Sequence, residues 1–307
     1  MTNTNKGEKE DSEPLGRKPL ILLLLDGFGV APKNEGNLFS LVKTPTISSL
    51  SEDYPVLLLK SLEGSINQRY LSLGTGVKRG EQDLNSKEVF SSLSSILSEN
   101  SIRQLKIFES NRFAALSHFF NGLREDKLEL EEWHFVSSSS KNEKLAKDEF
   151  LTKQIFSELM KELDKDEVAD FITVSVPGID LAARSADLEK TKQEIALVDK
   201  LLARLVDKVI NKNYRLIIGS VFGNAEKMLD LSMETSDTEP TKNPLPLFFV
   251  GQDFKGLRVG KSDVLESDLS SLLVSASLSD LAAIVLELLK IEKTQSMKAT
   301  KLIDNLL

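Results

Sequence analysis

The 307-residue chain has no cysteine and only two histidines, His118 and His134. The first absence excludes a disulfide frame, a thiolate nucleophile and any cysteine-held zinc or iron–sulfur centre. The second leaves too few imidazoles for a His-rich metal or acid–base constellation. Basic residues are short as well: 39 Lys plus Arg against 47 Asp plus Glu give a net charge of −8, and no long basic block stands out. Nucleic acids and anionic membranes are held mainly through clustered Lys and Arg, so neither is expected as a partner. The apolar run "PLILLLL" at 19–25 is too short to span a bilayer and ends at Asp26. A cytoplasmic location is the expectation for such a cysteine-free chain.

What is present is apolar and regularly spaced. At 40% hydrophobic residues the chain can bury a sizeable core. The polar stretch 1–17 reads as a disordered tail. "PLILLLL", "YPVLLLKSL" from Tyr54, "RFAALSHFFNG" at 112–122, "DFITVSVPG", the stretch 216–221 and "PLPLFFVG" read as strands. Helical spacing is expected over 38–50 with a break at Pro45, over 86–100, over 147–163, from a cap at Ser185 to Val209, and from a cap at Ser279 to Ile291. The segment "SSSSKNEK" at 137–144 is either a linker or a surface loop. Alternation of strand and helix predicts an α/β fold with a largely parallel sheet covered on both faces. In "RLIIGSVFGNAEKMLD", Gly223-Asn224 turns a buried strand into an amphipathic run, at the end of the sheet where α/β ligands bind.

Landmarks in register along the chain resemble cofactor-independent (2,3-bisphosphoglycerate-independent) phosphoglycerate mutases. They run from "LDGFG…EGN…KTP" in 18–55 through "YLSLGTG…EQDL", "RFAALSHFFNG", "FGNAEKMLD" and "NPLPLFFVG" to "SDLAAIVLELLKIE". The resemblance implies an alkaline-phosphatase-like three-layer sandwich, a single core domain over 18–307. It also implies two divalent metals, commonly manganese, around a phosphorylated serine. The family inserts a phosphotransferase domain between "EQDL" and "RFAALSHFFNG", whereas only 27 residues separate Leu84 from Arg112 here.

Residue by residue, most of the implied site is replaced. Asp26 matches a ligand aspartate, or serves only as a turn-former. The nucleophile motif falls on "GSINQRY" with Ile66 at the serine and Tyr70 at the histidine; Ser65 substitutes only after a shift of register. Val221 and Phe222 stand for an Asp-His ligand pair. Asp180 stands for another ligand aspartate after a one-residue shift, with Ala183 or Arg184 in place of its histidine. Asp237 lies in a loop that has lost its histidines, where an acidic surface loop is the simpler reading. Arg112 stands for a functional lysine, either gripping phosphate or ion-paired. Such a chain is expected to be a pseudoenzyme needing no cofactor, with a protein partner or a phosphorylated small molecule as ligand. The alternatives are a rebuilt phosphohydrolase or phosphotransferase using manganese or magnesium, or a divergent mutase.

Overall fold

The computed structural model describes residues 18–137, 147–230, 235–236, 238–258 and 268–297. The expected tail at 1–17, most of the serine-rich segment and Asp237 lie outside these. The described strands are β1 (Leu20–Leu25), β2 (Val56–Lys60), β3 (Gln104–Glu109), β4 (Glu131–Val136), β5 (Phe171–Val176), β6 (Arg215–Gly219), β7 (Leu229–Asp230), β8 (Thr235–Ser236), β9 (Leu245–Val250) and β10 (Val274–Ser277). Eight of them form one sheet in the order β10-β2-β9-β6-β1-β5-β3-β4. Every pairing in it is parallel except those of β9, which runs antiparallel to both β2 and β6.

The helices are α1 (Leu38–Leu41), α2 (Pro45–Asp53), α3 (Ile66–Thr75), α4 (Leu93–Glu99), α5 (Lys147–Glu162), α6 (Gly178–Arg184), α7 (Leu188–Asn211) and α8 (Leu281–Leu288). One layer joins α5, α6 and α7 to each other, with α1 and α2 on α7; the other joins α3, α4 and α8. All six residues of β1, β5 and β9 are buried, as strands covered on both faces must be. The three-layer α/β sandwich expected from the sequence is therefore the fold. No described helix is long and apolar enough to cross a membrane.

Several local expectations are corrected. "RFAALSHFFNG" is not a strand: a 3-10 turn at Ser110–Arg112 leads into a π-helical turn at Ala115–Phe119 that buries Leu116 and Phe120, four residues apart on one helical face. The strand is the preceding "QLKIFE", hidden in the sequence by Lys106, a charge at a core position. Its ammonium lies 2.6 Å from Glu131 Oε1 on β4 and donates to the Leu116 carbonyl at 2.9 Å. A buried charge is tolerated when it is paired and hydrogen-bonded in this way. The amphipathic run after Asn224, residues 225–228, is a turn and loop leading into β7. The 86–100 helix shrinks to α4. Ser185 ends α6, and Asp187 caps α7 by accepting from Lys190 N at 3.0 Å. Before α8, Ser277 and Asp280 form a capping box around a 3-10 turn, so Ser279 is not the cap.

Candidate functional site

Parallel strands deliver their following residues to one edge, and the candidate site collects there. Asp26 follows β1, Asp180 lies in the first turn of α6 after β5, Val221 and Phe222 follow β6, and Arg112 follows β3. The turn after Asp26 is fixed by Gly27, at φ +94°, where an added Cβ would sit 2.8 Å from Asp180 N. Only glycine permits that approach. It brings the two aspartate segments together, and Asp180 N donates to Asp26 O at 3.1 Å.

Two of the three sequence-proposed metal aspartates thus converge, and arginine lies between them. Arg112 Nη2 is 3.5 Å from Asp26 Oδ2 and 3.2 Å from Asp180 Oδ2. Arg184 Nε lies 2.9 Å from both Asp180 oxygens, and Asn224 Nδ2 donates to Asp180 Oδ1 at 3.0 Å. A third guanidinium, Arg69, is 96% buried and donates from Nε to Gly64 O at 3.2 Å. Arg69 and Arg112 lie over the Phe222 ring at 5.6 and 5.9 Å from its centroid, within cation–π range.

Burial pushes the Asp26 carboxyl up to about 7, against the pull of Arg112 and with the repulsion of Asp180. Burial also lowers the Arg69 guanidinium from its ordinary range. It opposes the charge of Arg112 too, but Asp26, Tyr70 and Asp180 together carry Arg112 upward. Tyr70 is wholly buried, with its hydroxyl 3.1 Å from Ser175 Oγ; burial raises its phenol far above the usual range. Ser65 is engaged as the N-cap of α3, its Oγ accepting from Gln68 N at 3.3 Å, while Ile66 begins that helix.

The donor set does not fit a metal pair. Val221, Phe222 and Ile66 carry no ligating atom, and three guanidinium groups crowd the two carboxylates, where they would repel a divalent cation. No group of three or more His, Cys, Asp or Glu side chains able to hold a metal occurs among the described residues. His118 packs edge-on to Phe119, with Nδ1 3.1 Å from Arg124 O, and His134 lies 3.9 Å from Glu132 on the edge strand β4.

Sequence reasoning missed Arg69 and Glu226. Arg69 was visible only as the residue before Tyr70 in "GSINQRY". Glu226 looked like part of a solvent-facing run, yet it is buried, accepting from Thr241 Oγ1 and from Asn243 Nδ2 at 3.0 Å. It ties the turn after β6 to the segment before β9, and burial raises its carboxyl.

The family model of the metalloenzyme superfamily matches residues 18–293. The 2,3-bisphosphoglycerate-independent phosphoglycerate mutase of Ehrlichia ruminantium (strain Gardel) is 27% identical over 266 residues, covering 84% of this chain and 50% of its own length. The mutase of that name from Clostridium botulinum (strain Langeland) is 28% identical over 211 residues, covering 69% of this chain and 38% of its own. The chain thus spans about half or less of the curated relatives it matches. Among solved structures, a Leishmania mexicana phosphoglycerate mutase at low cobalt concentration superposes with a TM-score of 0.73 at 12% identity, covering 95% of this chain and 98% of that one. An alkaline phosphatase from the Antarctic bacterium TAB5 gives 0.56 at 14% identity, over 90% and 99% of the two chains. At these identities the structures speak for the fold alone.

Proposed function

The chain belongs to the metalloenzyme superfamily, and we propose that it is a phosphoglycerate-mutase-like pseudoenzyme with a binding or regulatory role. In this reading guanidinium groups have taken over the charge-neutralising task of the divalent metals. The observation that carries it is Arg112 between Asp26 and Asp180, flanked by Arg184 and Arg69 over the buried ring of Phe222. An arginine neutralises a carboxylate pair as a metal does, but it cannot act as the Lewis acid of phosphoryl transfer or lower the pKa of a nucleophile bound to it. Ile66, at the family's serine, carries no nucleophile, and the neighbouring Ser65 caps α3. The protein is proposed to act in the cytoplasm through a protein partner.

A second reading, a phosphohydrolase using one hard cation such as magnesium or manganese, has one observation in its favour. Both oxygens of Asp26, and Oδ1 of Asn224, are buried and accept no hydrogen bond. It requires Arg112 to leave the space between the carboxylates. Thermal-shift and calorimetric titrations with manganese and magnesium separate the two readings, because a ligand of the native state alone raises the melting temperature. The expected result is no shift at millimolar metal and no turnover of 3-phosphoglycerate or a generic phosphomonoester. Saturable metal binding that disappears in Asp26→Ala overturns the pseudoenzyme reading.

A further inference from the structure

The two edges of the sheet are built differently. At one, β10 is four residues long and its register with β2 shifts between Val274 and Ala276; a short or bulged edge resists pairing with a further strand. At the other, β4 pairs with β3 through all six residues without a shift, and β3 is its one neighbour among the described strands. Its sequence "EEWHFV" holds neither proline nor lysine, and its inward charge, Glu131, is neutralised by Lys106. Proline, lysine and bulge, three devices that usually keep an edge from pairing, are thus missing from β4.

Gln104 N donates to Leu130 O at 2.7 Å, which fixes the phase of the β3–β4 ladder. Alternate residues of a parallel pair turn both backbone groups to the same neighbour, so Glu132 and His134 bond towards β3, while Trp133 and Phe135 turn their N–H and C=O outward. One face of this edge is aromatic. Phe135 is 60% and Phe113 44% exposed, their rings meet edge-on at 6.2 Å, and Trp133 meets Phe113 edge-on at 5.5 Å. The opposite face is polar. There His134 Nε2 lies 3.9 Å from Glu132 Oε2, beside an open groove of about 540 Å³ completed by Gln154 and Glu158 of α5.

We propose that β4 pairs antiparallel with β4 of a second copy of this chain, joining the two sheets about a two-fold axis. Registers centred on Trp133 and on His134 both engage the outward backbone groups, and charge selects between them. Centring on His134 sets imidazole against imidazole and leaves Glu132 opposite Val136. Centring on Trp133 sets Glu132 directly opposite His134 of the second copy, and the axis repeats that contact. On the aromatic face Trp133 then meets Trp133 of the second copy, and the exposed Phe135 ring is covered. A foreign strand would need the same acid and imidazole at matching positions, which a second copy supplies by symmetry.

A strand edge is a small contact, in the class below about 1,200 Å², so the dimer is expected to be weak, with a Kd on the order of 10 μM. Sedimentation velocity of the full chain from about 1 to about 300 μM should show a sedimentation coefficient rising towards that of a dimer. Phe135→Asp should abolish the rise, whereas Leu273→Asp, at an 80% exposed position beside β10, should leave it unchanged. Glu132→Lys should weaken association severalfold, and the charge swap Glu132→Lys/His134→Glu should restore it. All four positions are exposed or half-buried, and unchanged melting temperatures confirm that each variant is folded. Because the chain has no cysteine of its own, the register can be read by cross-linking with diamide as oxidant. Opposed residues lie within disulfide reach, while diagonal ones lie about 7–8 Å apart. A mixture of Glu132→Cys and His134→Cys chains should therefore cross-link severalfold faster than either alone. A single monomeric species throughout the concentration range overturns the proposal. So does association that survives Phe135→Asp, or cross-linking of His134→Cys alone that matches the mixture.

Discussion

Asp26 ends a strand whose six residues are all buried, and it carries a carboxyl held near 7 by that burial. A raised carboxyl pKa means that the folded chain binds a proton which the unfolded chain, with its carboxyl near 3.8, has released. Between about pH 4 and 7 this residue therefore makes stability fall as pH rises, and above 7 its cost is fully present. Asp26→Asn mimics the neutral form. It is expected to stabilise the protein at pH 8 by about 1 kcal/mol or more, since one pKa unit is worth about 1.4 kcal/mol, and to have little effect at pH 4. Denaturant melts of both proteins at the two pH values check this; a variant less stable at pH 8 would show that the charged form is favoured in the fold. The aspartate itself was legible in "LDGFG". Arg112 and Arg184 were marked in the sequence as well, but Arg69 was not, and the meeting of the three at the edge of the sheet was not legible because they lie far apart in sequence.

Among the elements, α2 shows how an end is satisfied from a distance. Its N-cap, Thr44, makes no side-chain capping bond. The exposed amides of the first turn are taken instead by Asp199 of α7, whose Oδ1 accepts from Ile47 N at 2.9 Å and whose Oδ2 accepts from Thr46 N at 3.2 Å. A carboxylate there also suits the positive end of the helix dipole. Asp199→Ala should cost about 1–2 kcal/mol, the usual range for a lost cap, read as a lower denaturation midpoint at unchanged slope. Asp199→Asn should recover part of the loss. No local sequence signal identifies such a cap, since its two halves are more than 150 positions apart. For the same reason β3 was missed: Lys106 reads as a surface residue until Glu131 of the neighbouring strand is placed against it.

Across the whole molecule, the landmarks that carry the family resemblance interlock. Gly27 N donates to Phe222 O at 2.9 Å, Leu38 N to Ala225 O at 3.0 Å, Met228 N to Gly36 O at 2.8 Å and Val30 N to Pro244 O at 2.8 Å. "LDGFG", "EGN", "FGNAEKM" and "NP" thus form one backbone network, which persists with Val221 and Phe222 packed inside it, both wholly buried. Restoring the family pair by Val221→Asp/Phe222→His is therefore expected to lower stability by about 2 kcal/mol or more, the cost of placing polar groups in a packed core. It should not produce metal binding or phosphatase turnover, because Arg112 and Arg184 still hold the aspartates. A stable variant that binds manganese would refute that account. The sequence by itself determined the layered α/β fold and the family, because buried strands and interlocking turns require particular residues at particular spacings. It also carried the expectation that several of the family's ligand types are replaced. Only the tertiary structure decided what stands in their place, since three arginines, two aspartates and a phenylalanine become one cluster through chain crossings that no local pattern encodes.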